Sequence, residues 1–214
     1  MGYNTEQVES GNLTEWMLEK MVSFWQSENG LTVDGQCGPK TQAELFDQRE
    51  GEIEGCSELA AESLRIARSL LGEGEVGGNN SGPFVEMLLG KEYDGDDDDD
   101  GAWCAAFVSH CISKAAGGAP PFAMSFGAKA IFKSAGNYGA KSMDPKPGDI
   151  VCWDRGKLNP DGSKSWQGHV GFVESVDGDI LTTIEGNKGR YPSKVKRFRY
   201  ELSEETRLEG FASF

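Results

Sequence analysis

Apolar positions at the start of the chain recur at helical spacing. Leu13, Trp16, Met17, Met21, Phe24 and Trp25 fall at i, i+3, i+4 intervals and predict one apolar stripe along a helix. Asn12, three residues before Glu15, suits a capping box at its start, and Gly30 ends it. Leu31 and Val33 then lead into a tight Asp34-Gly35 turn. Gly38-Pro39 opens a second helix with Ala43, Leu45 and Phe46, with proline in the first turn, where its missing N–H is harmless. Residues 48–55 are acidic and read as a linker. From Ser57 a capped helix places Leu59, Ser63, Ile66, Ala67 and Leu70 on one face, with Gly72 as its stop. A glycine-rich loop over 72–82 precedes a short helix over 83–89, and a further helix spans 103–116. The stretch from there to Pro147 reads as mostly irregular. The last third alternates between apolar and polar and predicts strands at 149–153, 169–176, 180–185, 195–200 and 208–214. Helices first and strands afterwards indicate an α+β fold with an antiparallel sheet.

The 214 residues accommodate a small helical module over 1–55 and a main domain over 56–214. A helical hairpin of about 40 residues is too small to be very stable by itself. Composition sharpens this picture chiefly through charge. Twenty-one basic against 35 acidic residues give a formal net charge of -14. That balance excludes nucleic-acid binding through a basic face and attachment to an anionic membrane by a polybasic patch. No apolar window reaches the roughly 18 residues a membrane span needs. The polar start of the chain lacks the basic and apolar segments of a secretory signal, so synthesis in the cytoplasm is expected. Five cysteines, an odd number without paired C-x-x-C spacing, favour reduced thiols and give no support to a zinc site.

Cys104 is the strongest chemical candidate. It follows a loop and opens a helix, where unpaired backbone N–H groups and the helix dipole favour a thiolate. The same N–H groups suit the oxyanion formed when a thiolate attacks an amide carbonyl. The plain alternative is a buried structural cysteine, the usual fate of a free thiol. A nucleophile needs a base, and there are two histidines. His110, six residues further along the same helix, lies about 240° around it from Cys104 and reads as a core residue or a neighbour of the site. His169 begins the strand Gly168-His169-Val170-Gly171-Phe172-Val173 and is the better base, with flanking glycines that allow close backbone approach and leave room for a substrate. In Glu185-Gly186-Asn187, either Glu185 or Asn187 suits the task of holding the imidazole in its working tautomer. Taken singly, each is more often a strand-end charge or a turn asparagine. Trp103, beside the nucleophile, and Trp166 with Gln167, just ahead of His169, are the candidate substrate contacts. The polar 155–165 hairpin is a candidate cleft wall.

Two resemblances add to this reading. Val33-Asp34-Gly35-Gln36-Cys37-Gly38-Pro39-Lys40-Thr41, between two helices, resembles the turn of the peptidoglycan-binding type 1 module and implies wall docking by about residues 12–48. A generic helical cap on the main domain is the alternative. Trp103-Cys104, Pro147-Gly148-Asp149-Ile150-Val151, Gly168-His169-Val170-Gly171-Phe172-Val173 and Glu185-Gly186-Asn187 are similar, in order and spacing, to the motifs of the CHAP family. These are papain-like cysteine amidohydrolases and peptidases acting on cell-wall peptides, and the resemblance covers roughly residues 58–214. It implies helices packed on an antiparallel sheet, Cys104 as nucleophile, His169 as general base and acid, and Glu185 with Asn187 as orienting residues. It implies bacterial peptidoglycan as substrate, cut at a stem-peptide bond or at the N-acetylmuramoyl-L-alanine amide. Delivery is expected by injection as an antibacterial effector, with an immunity protein and secretion machinery as partners, or by lysis as a phage-type endolysin. In either case the site of action is the periplasm or the wall, and the acidity favours injection. The rivals are an inactive wall-binding protein and a cysteine protease or transamidase acting on proteins. The chemistry needs no cofactor. Some CHAP domains carry calcium before the nucleophile, and Asp94, Asp96 and Asp98 alternate as loop ligands do, although a run of like charges is usually just solvated.

Overall fold

The structure, a computed structural model, describes residues 14–28, 31–38, 41, 55–90 and 101–214. The chain divides into two units, residues 1–52 and 53–214.

In the first unit, helix α1 spans Glu15–Glu28. Its cap is Thr14, whose hydroxyl accepts the Met17 N–H at 3.2 Å, rather than the expected Asn12, which lies outside the described residues. The apolar stripe is present but faces outward: Trp16 is 66% and Phe24 69% exposed, and Met17 and Met21 are exposed as well. The side chain that turns inward is Gln26. Its amide nitrogen, which carries two hydrogens, lies within hydrogen-bond distance of Asp34 Oδ1 (2.8 Å), the Gln36 carbonyl (3.0 Å) and Thr41 Oγ1 (2.9 Å). Its oxygen accepts the N–H groups of Asp34 and Gly35. A buried carboxamide so fully satisfied locks the Asp34-Gly35 turn onto the helix. The second predicted helix lies outside the described residues apart from Thr41.

In the second unit, α2 (Glu58–Ser69) starts at Ser57, whose hydroxyl accepts the Ala60 N–H at 3.1 Å. Next come α3 (Pro83–Leu89) and α4 (Cys104–Ala115), as the spacing predicts. The stretch expected to be irregular contains a helix, α5 (Ala128–Tyr138), and an edge strand, β1 (Ala140–Ser142). Ala128, Ile131, Phe132 and Ala135 provide the buried stripe that makes α5 stable in context. Strands β2 (Ile150–Asp154), β3 (Gly168–Asp177), β4 (Ile180–Glu185), β5 (Lys196–Glu201) and β6 (Leu208–Ser213) complete a six-stranded antiparallel sheet in the order β1-β6-β2-β3-β4-β5. The fold is α+β, as expected.

Strand alternation sorts the core into two layers. Ile150, Cys152, Val170, Phe172, Ile184 and Ala212 join the helices in the main core, in which α4 is buried almost all round. Val151, Trp153, Val173, Leu181 and Phe211 form a smaller core with Tyr200 and Leu208. His169 pairs in register with Trp153, and their ring centroids are 5.9 Å apart. The start of β3 thereby comes alongside the N-terminus of α4. Among the described residues no helix is long and apolar enough to cross a membrane.

Candidate active site

Cys104 is the first residue of α4, and the residue before it, Trp103, places no side-chain cap on the helix N-terminus. Among the described residues, no side-chain cap occupies the backbone N–H groups of that turn. Burial pushes the Cys104 thiol up, but the hydrogen bond and charge of His169, the Val170 N–H and the Arg155 guanidinium outweigh it, and the thiol lies below its ordinary value. Other buried thiols behave oppositely: burial pushes Cys152 up to about 12 and raises Cys111 as well. His110 is partly exposed, and burial followed by the Lys114 charge lowers its pKa.

His169 is buried, and its Nε2 lies 2.7 Å from Glu185 Oε2. With Nε2 engaged there, Nδ1 is the nitrogen left for the thiol. Burial lowers the imidazole pKa, whereas its hydrogen bonds to Cys104 and Glu185 raise it, and the balance stands at about 9. A lowered thiol beside a raised imidazole favours transfer of the thiol proton to His169, giving a thiolate–imidazolium pair.

Glu185 is fully buried and held by four groups. Besides His169, the hydroxyls of Thr183 and Tyr200 each donate to Oε1 at 2.6 Å, and Lys188 Nζ lies 3.2 Å from Oε2. The Lys188 ammonium in turn lies 4.3 Å from the ring centroid of Tyr200, 4.6 Å from that of Phe198 and 5.3 Å from that of Trp153. Thr183 was readable as the same-face neighbour of Glu185 two residues back on β4. Lys188, three residues beyond Glu185, and Tyr200, brought up by the pairing of β4 with β5, were missed.

The glycines around His169 allow the close backbone approach expected of them, but the space they free is not left for a substrate. A Cβ at Gly171 would lie 2.5 Å from Glu185 Cγ and 2.7 Å from the Ile184 carbonyl oxygen, so this space belongs to Glu185 and not to a substrate. At Gly168 the space is taken by Lys129 and the Trp153 carbonyl, both 3.0 Å from an added Cβ. Trp103, expected to touch substrate, is fully buried. Its indole N–H donates to Glu75 at 3.2 Å, and an added Cβ at Gly186 would lie 2.3 Å from its ring. Trp103 is the floor beneath the 185–187 turn.

Two cavities flank the pair. One of about 80 Å³ adjoins Cys104 and is lined by Phe126, Arg155, Trp166 and Gln167 among others, with Trp166 70% exposed. The second, of about 430 Å³, adjoins His169 and includes Arg155, Asn187, Lys188, Glu205 and Arg207. Asn187 has a left-handed backbone (φ 55°) in its wall, while the partner of His169 Nε2 is Glu185. Arg155 borders both spaces, and the 155–165 segment forms a hairpin with a Leu158–Lys164 bridge. Asp94, Asp96 and Asp98 lie outside the described residues. Among the described residues no group of three or more His, Cys, Asp or Glu side chains is arranged to hold a metal.

Among curated proteins no sequence matches the chain. Two similar solved structures are a crystal structure of Ly7917 with the hydrolyzing product of MDP and a crystal structure of Ly7917. The first has a TM-score of 0.46 at 21% identity over 72% of this chain and 62% of that one. The second has a TM-score of 0.44 at 21% identity over 72% and 61%. The chain thus spans about three fifths of their length. The model of the CHAP domain family matches residues 96–187, the stretch that contains Cys104, His169 and Glu185. Over these residues the chain is similar to the CHAP domain family.

Proposed function

We propose that this protein hydrolyses an amide bond in the peptide part of bacterial peptidoglycan, with Cys104 as nucleophile. The observation that carries the reading is the line Cys104–His169–Glu185, in which the thiol is lowered and the imidazole raised. The Cys104 thiolate attacks the carbonyl carbon, forming a C–S bond, and the N–H groups at the start of α4 receive the developing oxyanion. Imidazolium His169 gives its proton to the amide nitrogen as the C–N bond breaks and the amine departs. Neutral His169 then takes a proton from water, whose oxygen attacks the thioester carbon. The C–S bond breaks, and the acid product and the thiolate–imidazolium pair are left. Glu185 holds the imidazole ring throughout.

Cys104→Ala and His169→Ala are each expected to lose digestion of purified cell wall; a variant digesting as fast as the parent would overturn the mechanism. Mass spectrometry of released fragments assigns the bond as a stem-peptide or an N-acetylmuramoyl-L-alanine cut. For delivery, the net charge of -14 opposes electrostatic attraction to an anionic wall and favours an injected effector confined with its substrate. Toxicity confined to periplasmic expression supports that route. The exposed aromatic residues of α1, Trp16 and Phe24, suit docking on the wall, and a wall pull-down with residues 1–52 deleted tests their part.

A further inference from the structure

The larger cavity beside His169 has an unusual charge arrangement for so acidic a chain. Arg155 Nε donates to the Gly168 carbonyl at 3.1 Å, and Arg207 Nη1 reaches the Arg155 carbonyl at 3.5 Å. Gly156, at φ +70°, permits this approach: an added Cβ would lie 3.3 Å from Arg207 Cζ. Two guanidinium groups are thus held on one turn by backbone carbonyls, and among the described residues neither forms an ion pair. Two carboxylates of the cavity wall and its surroundings are already engaged by cations. Asp154 is bound by Lys129 and the Gly156 N–H, and Glu185 by His169 and Lys188. The remaining acid in the wall, Glu205, accepts the Trp153 indole N–H at 3.1 Å. Two guanidinium groups lining one cavity with Glu205 as the one wall acid not held by a cation can receive an anion, and the planar guanidinium suits a carboxylate.

Which half of the substrate meets them follows from the chemistry. His169 delivers the proton to the departing amine, so the amine-side fragment lies on the His169 side of the thiol, where this cavity of about 430 Å³ opens. We propose that Arg155 and Arg207 form a subsite for a free carboxylate on the amine-side fragment of the substrate. The proposal rests on the amide-hydrolase reading of the site. In a wall peptide the carboxylate has two sources, the α-carboxylate of γ-linked D-glutamate and the C-terminal carboxylate.

The test uses N-acetylmuramoyl-L-Ala-γ-D-Glu-L-Lys-D-Ala in three forms: both carboxylates amidated, only the D-glutamate carboxylate free, and only the C-terminal carboxylate free. Binding to the full-length Cys104→Ala protein is followed by calorimetry, and cleavage by the parent through kcat/KM. One of the single-carboxylate forms is expected to bind about tenfold more tightly than the amidated form, with the preference weakening as salt rises. Arg207→Gln should reduce that ratio to about twofold or less, and Arg207→Lys should restore part of it. Equal binding of all three forms, or a ratio untouched by Arg207→Gln, overturns the subsite. So does a cut that leaves the preferred carboxylate on the acyl side. If the parent cleaves all three forms equally, the hydrolase stands and the subsite falls. If the parent cleaves none while the Cys104→Ala protein keeps an Arg207-dependent preference, the hydrolase reading falls and a carboxylate-binding cavity remains.

Discussion

Glu185→Gln removes one negative charge from the site with little change of shape, and the structure says what should follow. The carboxylate accepts from His169, Thr183, Tyr200 and Lys188. A carboxamide accepts at one end only. Its NH2 is tolerated beside the two hydroxyls, which can reverse and accept, but not beside imidazolium and ammonium, which can only donate. The amide oxygen therefore turns to His169 and Lys188, and the hydrogen bond survives without the charge. His169 stands at about 9 against an ordinary 6.5, a preference for imidazolium of about 3 kcal/mol. Burial opposes that preference, while Cys104 and Glu185 share in creating it. Loss of the carboxylate's share is expected to cost on the order of tenfold in the population of the thiolate–imidazolium pair. The assay is alkylation of Cys104 by iodoacetamide across pH, read by mass spectrometry of the peptide that carries it so that the other cysteines do not interfere. The apparent thiolate midpoint should rise by about one pH unit, and kcat/KM at pH 7 should fall about tenfold or more. Superimposable alkylation profiles for parent and variant would show that Glu185 does not polarise His169, and the reasoning would be refuted.

Three further outcomes follow from the same structure. The productive pair requires Cys104 ionised and His169 protonated, so kcat/KM should rise with pH through the lowered thiol value and fall through about 9, and a pH–rate profile without an alkaline limb there would be inconsistent with the pair. Lys188 shares Glu185 Oε2 with His169, so Lys188→Met should release the carboxylate to the imidazolium and move that alkaline limb upward by about half a pH unit, whereas a downward shift contradicts the competition. Glu174 bridges Arg68 and Arg197; burial raises its pKa, but the two guanidinium groups outweigh burial and leave it low. Its stabilisation is present above the ordinary 4.5 and is lost as pH falls through the lower folded value, so Glu174→Gln should destabilise by about 2–3 kcal/mol at pH 7 and by much less near pH 3, measured by urea unfolding at both.

How far the sequence foretold this molecule varied with the kind of signal each segment carries. The five later strands were legible because period-two alternation between turns is a local pattern, and β2 to β6 lie within one or two residues of expectation. Helix α5 escaped although Ala128, Ile131, Phe132 and Ala135 have helical spacing, because the glycines and prolines around it dominate the segment. In α1 the periodicity marks the helix but not the direction its stripe faces: one buried polar side chain, Gln26, decides it by satisfying a turn eight to fifteen residues away. The site shows the same division. Cys104 and His169 stood out because a helix start and a scarce residue type are visible in one dimension. Tyr200 as a partner of the carboxylate and the use of Gly171 as the space for Glu185 arise only when β3, β4 and β5 are laid side by side, while Lys188 reaches Glu185 from the turn three residues on.

The charge of the chain has to be read at two distances. Over many ångströms the net -14 repels an anionic wall, but at physiological salt such repulsion fades beyond about 8 Å. Within the cleft, nearby groups govern, and there the sign reverses. Asp154 and Glu185 are bound by cations, while Arg155 and Arg207 rest on backbone carbonyls. Arg155 also faces the thiol and helps to lower it. One guanidinium therefore acts on both the nucleophile and the cavity that would receive the leaving fragment, so a bound carboxylate would offset part of the charge favouring the thiolate. That compensation is least harmful after attack, when the thiolate charge has passed into the C–S bond and the oxyanion and lies against the N–H groups at the start of α4. The larger share of an anionic fragment's binding therefore falls to Arg207, with Arg155 shared between the fragment and the thiolate.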